Sequence, residues 1–183
     1  MRIKDIVHFS PNYKYEDINL DDKNCLIEAF EDRVRGFYLK PIEILNDSQC
    51  AFSAGLLCVT TIDFLARISI NEKKVNKRIK KWLKTNIPDY FDDELANRFY
   101  DEFRNGLVHE GLIKKGGQFS YEIGPLLCEE DNIIVVNPEL LLDEINNSFK
   151  LYIRKLKDDT LSYQLFKCAI LSDFYFDFLY AEG

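Results

Sequence analysis

The chain has 183 residues, a net charge of −7, and 46% apolar and 14% aromatic content. That length and apolar share fit one globular domain with a core that needs no covalent staples, and exclude a disordered chain. The acidic balance argues against a protein that coats DNA or membranes by bulk charge, while leaving room for a local basic patch.

Residues 1–20 are mixed and tyrosine-rich, with Pro11 inside, and predict an irregular or partly extended lead-in. His8, beside Phe9 and Pro11, reads as structural or exposed. Asp21 or Asp22 can cap a helix over 23–39, with Leu26, Phe30, Val34 and Phe37 at helical spacing. Pro41 should break it, and a further turn can start over 41–45. Asp47 or Ser48 then opens the most apolar helix, 49–68, hydrophobic nearly all round as a central bundle helix should be. Asp63 is its one acid, flanked by Ile62, Phe64 and Leu65, and must be paired or solvated. Arg67, four residues on, is one candidate partner; a role in orienting Arg104 is the other.

The stretch 72–84 follows, with Lys73, Lys74, Lys77, Arg78, Lys80, Lys81 and Lys84 against the single acid Glu72. Val75, Ile79, Trp82 and Leu83 form the inward stripe of a helix, which leaves the cations outward. They are either a solvated face or a phosphate track for RNA. Asn86-Ile-Pro88 ends that helix. Asp92 or Asp93 caps the next, in which Leu95, Phe99, Phe103 and Leu107 recur every four residues and pack inward.

This helix carries Arg104, Asn105 and His109 and runs into Gly111. The trio suits phosphodiester chemistry: a guanidinium to hold phosphate, an imidazole to move protons, and an amide to orient either. The spacing is an obstacle, because residues five apart on an α-helix lie ~140° apart around the axis. Fraying at Gly106, an end before Gly111, or a second subunit could bring the groups together. The competing reading is an ordinary helix end, with His109 capping carbonyls and Arg104 paired to Asp101 or another acid.

Beyond Gly111 the pattern changes. Residues 118–123 and 132–136 read as two short strands behind Gly116-Gly117, with an acidic loop between them. Pro138 fits the first position of a helix capped by Asn137 and running to about Leu156. A last helix spans 161–180; its aromatic second half, from Phe174, reads as core or subunit interface.

The five cysteines (Cys25, Cys50, Cys58, Cys128 and Cys168) include no C-x-x-C pair, which predicts reduced, mostly buried thiols in a cytoplasmic protein. No secretory leader pattern opens the chain and no apolar run reaches about 18 residues, so membrane spanning is not expected. Two histidines far apart, without H-E-x-x-H or D-x-D, offer no metal cage, and no phosphate-cradling glycine motif implies a nucleotide cofactor.

Arg104-Asn105-Gly-Leu-Val-His109 resembles the R-x4-H signature of the HEPN superfamily, with a polar residue after the arginine as in its nuclease-active members. The stretch 55–67 is similar to the long buried helix that precedes the signature in these proteins. Residues 115–119 and 133–138 resemble a hairpin insertion found in some branches. The likeness covers about residues 45–155. It implies an all-α HEPN-like helical bundle over 1–183, with a small β-hairpin insertion at 117–137. It also implies a homodimer that joins two signatures in one cleft and cuts RNA without metal, as a toxin or defence effector. Arg104, Asn105 and His109 would be its catalytic residues, and an antitoxin or regulatory protein a further partner. The chemistry is self-consistent, since RNA supplies its own 2′-hydroxyl nucleophile. The alternative is a non-catalytic HEPN-like dimer acting as a binding or regulatory module.

Overall fold

The computed structural model describes residues 2, 3 and 6–181; Met1, Lys4 and Asp5 of the expected lead-in lie outside them. Two short strands, β1 (Arg2–Ile3) and β2 (Ile6–Val7), come first. The helices α1 (Lys23–Val34), α2 (Lys40–Asp47), α3 (Ala51–Ser69), α4 (Val75–Asn86) and α5 (Asp93–Arg98) follow. A small sheet of β3 (Gln118–Phe119), β4 (Leu127–Glu130) and β5 (Ile133–Val136) precedes α6 (Pro138–Asp158), α7 (Thr160–Asp173) and α8 (Tyr175–Ala181). Two stretches, Arg35–Leu39 and Phe99–Glu110, are π-helical. The architecture is thus mostly helical with one small three-stranded sheet. It divides into two compact units, Met1–Pro41 with Lys150–Gly183, and Ile42–Phe149.

The first unit closes on aromatic rings. Phe9 meets Tyr15 and Phe174 edge-on at 5.3 and 5.4 Å, and Phe178 meets Tyr15 at 4.8 Å. The Arg33 guanidinium lies 4.6 Å from the Phe174 ring centre. Asp22 caps α1 by accepting from the Asn24 and Cys25 amides, and Asp159 caps α7 by accepting from the Ser162 amide. Two expectations change here. The lead-in is more ordered than its composition suggests, with β1 paired to β2, a bridge between His8 and Lys14, and a 3₁₀ turn at Tyr15–Asp17. The last helix does not run unbroken over 161–180: it bends at Phe174, which the Phe9–Tyr15 cluster takes in, leaving Tyr175 and Phe176 exposed.

Pro41 also departs from expectation, sitting inside α2 instead of ending the helix before it. Lys40 donates to the Arg35 carbonyl five residues back, so the bond register shifts just ahead of the ring. The carbonyl that an α-register would press against a proline is thereby displaced.

The second unit is built on α3. By length and composition this 19-residue helix, with a hydropathy of 1.5, could cross a membrane, and half of that window is buried inside the fold. The core helix of a folded domain reaches the same composition because its neighbours cover a large part of it. Gly55 lets the sheet lie against it, since a Cβ there would stand 2.4 Å from the Phe119 ring. Phe103 stacks on Phe99 at 5.1 Å and meets Phe119 at 5.2 Å, so the site helix, sheet and α3 share one hydrophobic seam. Of the cysteines, all free, only Cys58 is buried, whereas Cys50 and Cys168 are exposed.

The insertion is not the simple hairpin of 118–123 and 132–136. The hairpin is β4–β5, turned by Asp131-Asn132, both at positive φ (50° and 66°), the two-residue turn that matches strand twist. Only Gln118 and Phe119 of the expected first strand pair, and they run parallel to β5. Beyond Ser120 the chain turns away, and the Tyr121 hydroxyl donates to Asn46 at 2.9 Å. Arg98 anchors the hairpin tip by donating to the Asn132 carbonyl (2.7 Å) and pairing with Glu129 (2.9 Å) and the fully buried Glu102 (2.9 Å).

Candidate functional site

Asp92 caps α5 by accepting from the Leu95 amide at 2.8 Å, and α5 runs without interruption into the π-helical Phe99–Glu110. The closing bond spans five residues, from the Gly111 N–H to the Gly106 carbonyl, with Gly111 left-handed at φ 71°. In an i→i+5 register, residues five apart stack one turn above the other, as residues four apart do in an α-helix. Arg104 and His109 therefore share a face, and Arg104 Nη1 lies 3.2 Å from His109 Nε2. The α-helical geometry expected for this segment, with the two groups ~140° apart, does not hold. Gly106 makes the closure possible: a Cβ there would stand 2.3 Å from the Leu112 carbonyl, which folds back over it.

Arg104 is the hub. Its Nε and Nη2 both donate to Asp63 Oδ2, at 3.1 and 2.8 Å. Nη1 donates to Asn105 Oδ1 at 3.3 Å as well as facing His109. Four of the five N–H groups of a guanidinium are thus engaged. Because arginine only donates, a hydrogen bond across this contact has His109 Nε2 as its acceptor. The Tyr100 ring lies 5.8 Å from the Arg104 guanidinium carbon. Asp63 therefore partners Arg104, across 41 positions of sequence, and His109 turns to Arg104 instead of capping carbonyls.

Arg78 departs from the sequence reading. Placed there among the outward cations, it turns inward, with its side chain 12% exposed and Nη2 3.6 Å from Asp63 Oδ1. Its Nη1 reaches the Glu72 carbonyl at 3.5 Å, and its Nε is buried with no hydrogen-bond partner. Two guanidinium cations thus flank one carboxylate, which leaves the cluster with excess positive charge. Such a cluster favours an anionic group.

The remaining lysines divide. Lys77, Lys80, Lys81 and Lys84 line an open groove of about 770 Å³ between α4 and α5; Lys73 and Lys74 precede α4 and are exposed outside it. The groove is not purely basic, because Glu72, Asp93 and Glu94 also line it. Lys84 pairs with Asp93, whose carboxyl this hydrogen bond holds below the ordinary range, and Lys80 donates to Asn97 at 3.1 Å.

Sequence reasoning missed Tyr100 and the inward role of Arg78, though both leave a trace. Tyr100 stands four positions before Arg104, and Val75, Arg78, Ile79, Trp82 and Leu83 follow the i, i+3, i+4, i+7, i+8 pattern of a buried stripe. Among the described residues, no three His, Cys, Asp or Glu side chains are placed to hold a metal ion. His8 belongs to the other unit. The chain matches no protein-family model, no curated protein and no solved structure.

Proposed function

We propose that this chain is a metal-independent endoribonuclease of the HEPN type, working as a homodimer and serving as a toxin or defence effector. The observation that carries the reading is the 3.2 Å contact between Arg104 and His109, fixed by Asp63 in a register that brings the two groups of the signature onto one face. A guanidinium held by a carboxylate behind it and touching an imidazole in front supplies both phosphate binding and proton transfer.

The bond inventory suggests an order of events. An RNA phosphate oxygen takes Arg104 Nη1 away from His109 and Asn105, while Asp63 keeps hold of Nε and Nη2. His109 Nε2, now free, accepts the proton of the 2′-hydroxyl. The 2′-oxygen bonds to phosphorus and the bond to the 5′-oxygen breaks. That oxygen takes a proton from the imidazolium of a second copy, because one histidine cannot complete both transfers. The products are a 2′,3′-cyclic phosphate and a free 5′-hydroxyl. Lys77, Lys80, Lys81 and Lys84 steer the flanking backbone phosphates.

The test is cleavage of single-stranded RNA by the purified protein in EDTA. Cleavage with a 2′,3′-cyclic phosphate end is expected, with losses of about a hundredfold or more in Arg104→Ala and in His109→Ala. Cleavage that persists in His109→Ala overturns the mechanism. RNA binding without cleavage by the unaltered protein assigns the site to a non-catalytic binding module.

A further inference from the structure

On the other side of His109 from Arg104 in sequence lies a second groove, of about 310 Å³, that the reaction scheme leaves unused. It is lined by Phe52 at the start of α3, by Gly111 and Leu112 just after the π-helical stretch, and by Gly117, Gln118 and Phe119. Gly111 is only two residues from His109, so this groove opens at the end of the helix that carries Arg104 and His109. Its chemistry is the reverse of the lysine groove's, since no charged side chain lines it. Phe52 is 50% exposed and Leu112 49%, so the groove offers an aromatic and an aliphatic face side by side. The opposite wall is rigid: Phe119 is held edge-on by Phe103 at 5.2 Å, and a Cβ on Gly117 would strike Ile113 at 2.6 Å. Beside Gly111 there is open space, with nothing within 4 Å of where a Cβ would stand. Gln118 is the polar side chain on the lining, and its amide offers both a donor and an acceptor.

We infer that this groove takes one nucleobase of the RNA strand whose phosphate Arg104 holds. The base stacks on the Phe52 ring, and its hydrogen-bonding edge is read by Gln118. The occupant follows from continuity with the cluster. A strand whose phosphate sits on a cationic guanidinium must also lay its uncharged aromatic bases on the neighbouring surface. The groove that opens beyond the end of this helix is a neutral slot with one half-exposed ring and one amide. Phe52 and Gln118 are then the specificity-determining residues of the proposed nuclease. The inference rests on the reading of Arg104 and His109 as an RNA site.

It is tested by binding, which keeps it apart from cleavage. Short single-stranded RNAs carrying 2-aminopurine at successive positions are titrated into the full chain bearing His109→Ala. Quenching at one position is expected, and Phe52→Ala should abolish it and weaken affinity about 5- to 150-fold, equivalent to ~1–3 kcal/mol of stacking on an aromatic side chain. Phe52→Trp, which keeps a stacking face, should retain both signals. Gln118→Ala should alter the preference among bases at that position alone. If Phe52→Ala leaves quenching and affinity intact while Arg104→Ala weakens binding, the pocket is wrong and the phosphate site stands. If Phe52→Ala changes the oligomeric mass without touching the quench, the groove is a contact between copies and the inference falls. If no RNA binds at all, the inference and the functional reading fall together.

Discussion

Replacing Asp63 by alanine removes the carboxylate that two guanidinium groups share, and the structure sets the size of the effect. Arg104 approaches within hydrogen-bond distance, at 2.8 and 3.1 Å, whereas Arg78 stands off at 3.6 Å, so most of the loss falls on the Arg104 pair. The side chains of Asp63, Arg104 and Arg78 are 23%, 15% and 12% exposed. Exposed pairs contribute about 0–1 kcal/mol, and breaking a sealed pair costs about 3–5 kcal/mol. This half-sealed cluster lies between, and Asp63→Ala should cost about 2–3 kcal/mol. Arg104→Ala should cost less, because Asp63 then keeps Arg78 nearby, whereas losing Asp63 leaves two cations facing each other without an anion. Urea unfolding read by the fluorescence of Trp82, the single tryptophan, reports on this unit directly because Trp82 is buried on α4. The double variant should show a coupling of about 1–2 kcal/mol between Asp63 and Arg104. A loss below about 0.5 kcal/mol for Asp63→Ala, with no coupling, is the signature of a solvated surface pair. That result would refute the held guanidinium on which the proposed mechanism depends.

Three further outcomes are expected. Gly106→Ala should destabilise by about 1–2 kcal/mol and depress RNA cleavage together, because overpacking against the Leu112 carbonyl outweighs the gain in helix propensity; a stabilised, fully active variant would contradict the fold-back over this glycine. Changing Lys77, Lys80, Lys81 and Lys84 to glutamate should weaken RNA binding and flatten its dependence on log salt by about 2 to 3 units of slope; an unchanged slope would reduce the groove to a solvated face. Burial pushes the Asp32 carboxyl up, but hydrogen bonds from the Ser10 hydroxyl and from the Asn12 amide and side chain prevail and hold it below the usual carboxylate range. A depressed carboxyl stabilises fully above its unfolded value of about 3.9 and loses that contribution as pH falls through the folded value. The stability advantage of the native chain over Asp32→Asn, measured by thermal unfolding, should therefore be full at pH 5 and vanish on acidification; an advantage independent of pH would show that charge has no part in it.

The helices that could be read in the sequence are those whose signal is local. Asp22, Asp92, Asn137 and Asp159 each present a side-chain oxygen to free amides two or three positions on, and each marks a true helix start. The apolar span of α3 was legible within two residues at its start and one at its end. What could not be read is what depends on register or on distant partners. Strand β4 ends in Glu129-Glu130 and carries no strand composition; its place comes from the left-handed turn at Asp131-Asn132 and from pairing with β5. The choice between Arg67 and Arg104 for Asp63 was balanced in sequence, and packing of α3 on the site helix brings the guanidinium of Arg104 to the carboxylate.

The π-helical stretch is the most consequential of these illegible features, because it reverses an argument. Leu95, Phe99, Phe103 and Leu107 recur every four residues and so point to an α-helix, in which Arg104 and His109 diverge. The fold keeps Phe99, Phe103 and Leu107 buried while closing the helix five residues at a time, which also draws Glu102 and Gly106 into the core. No propensity distinguishes that register, and its cause is tertiary: the chain doubles back over Gly106, where a side chain would collide with it. Since the guanidinium and imidazole meet within one chain, a second copy is not needed to assemble them. The case for a homodimer therefore narrows to proton accounting. In the proposed reaction one imidazole can take up the 2′-hydroxyl proton, and a different acid must return one to the leaving oxygen.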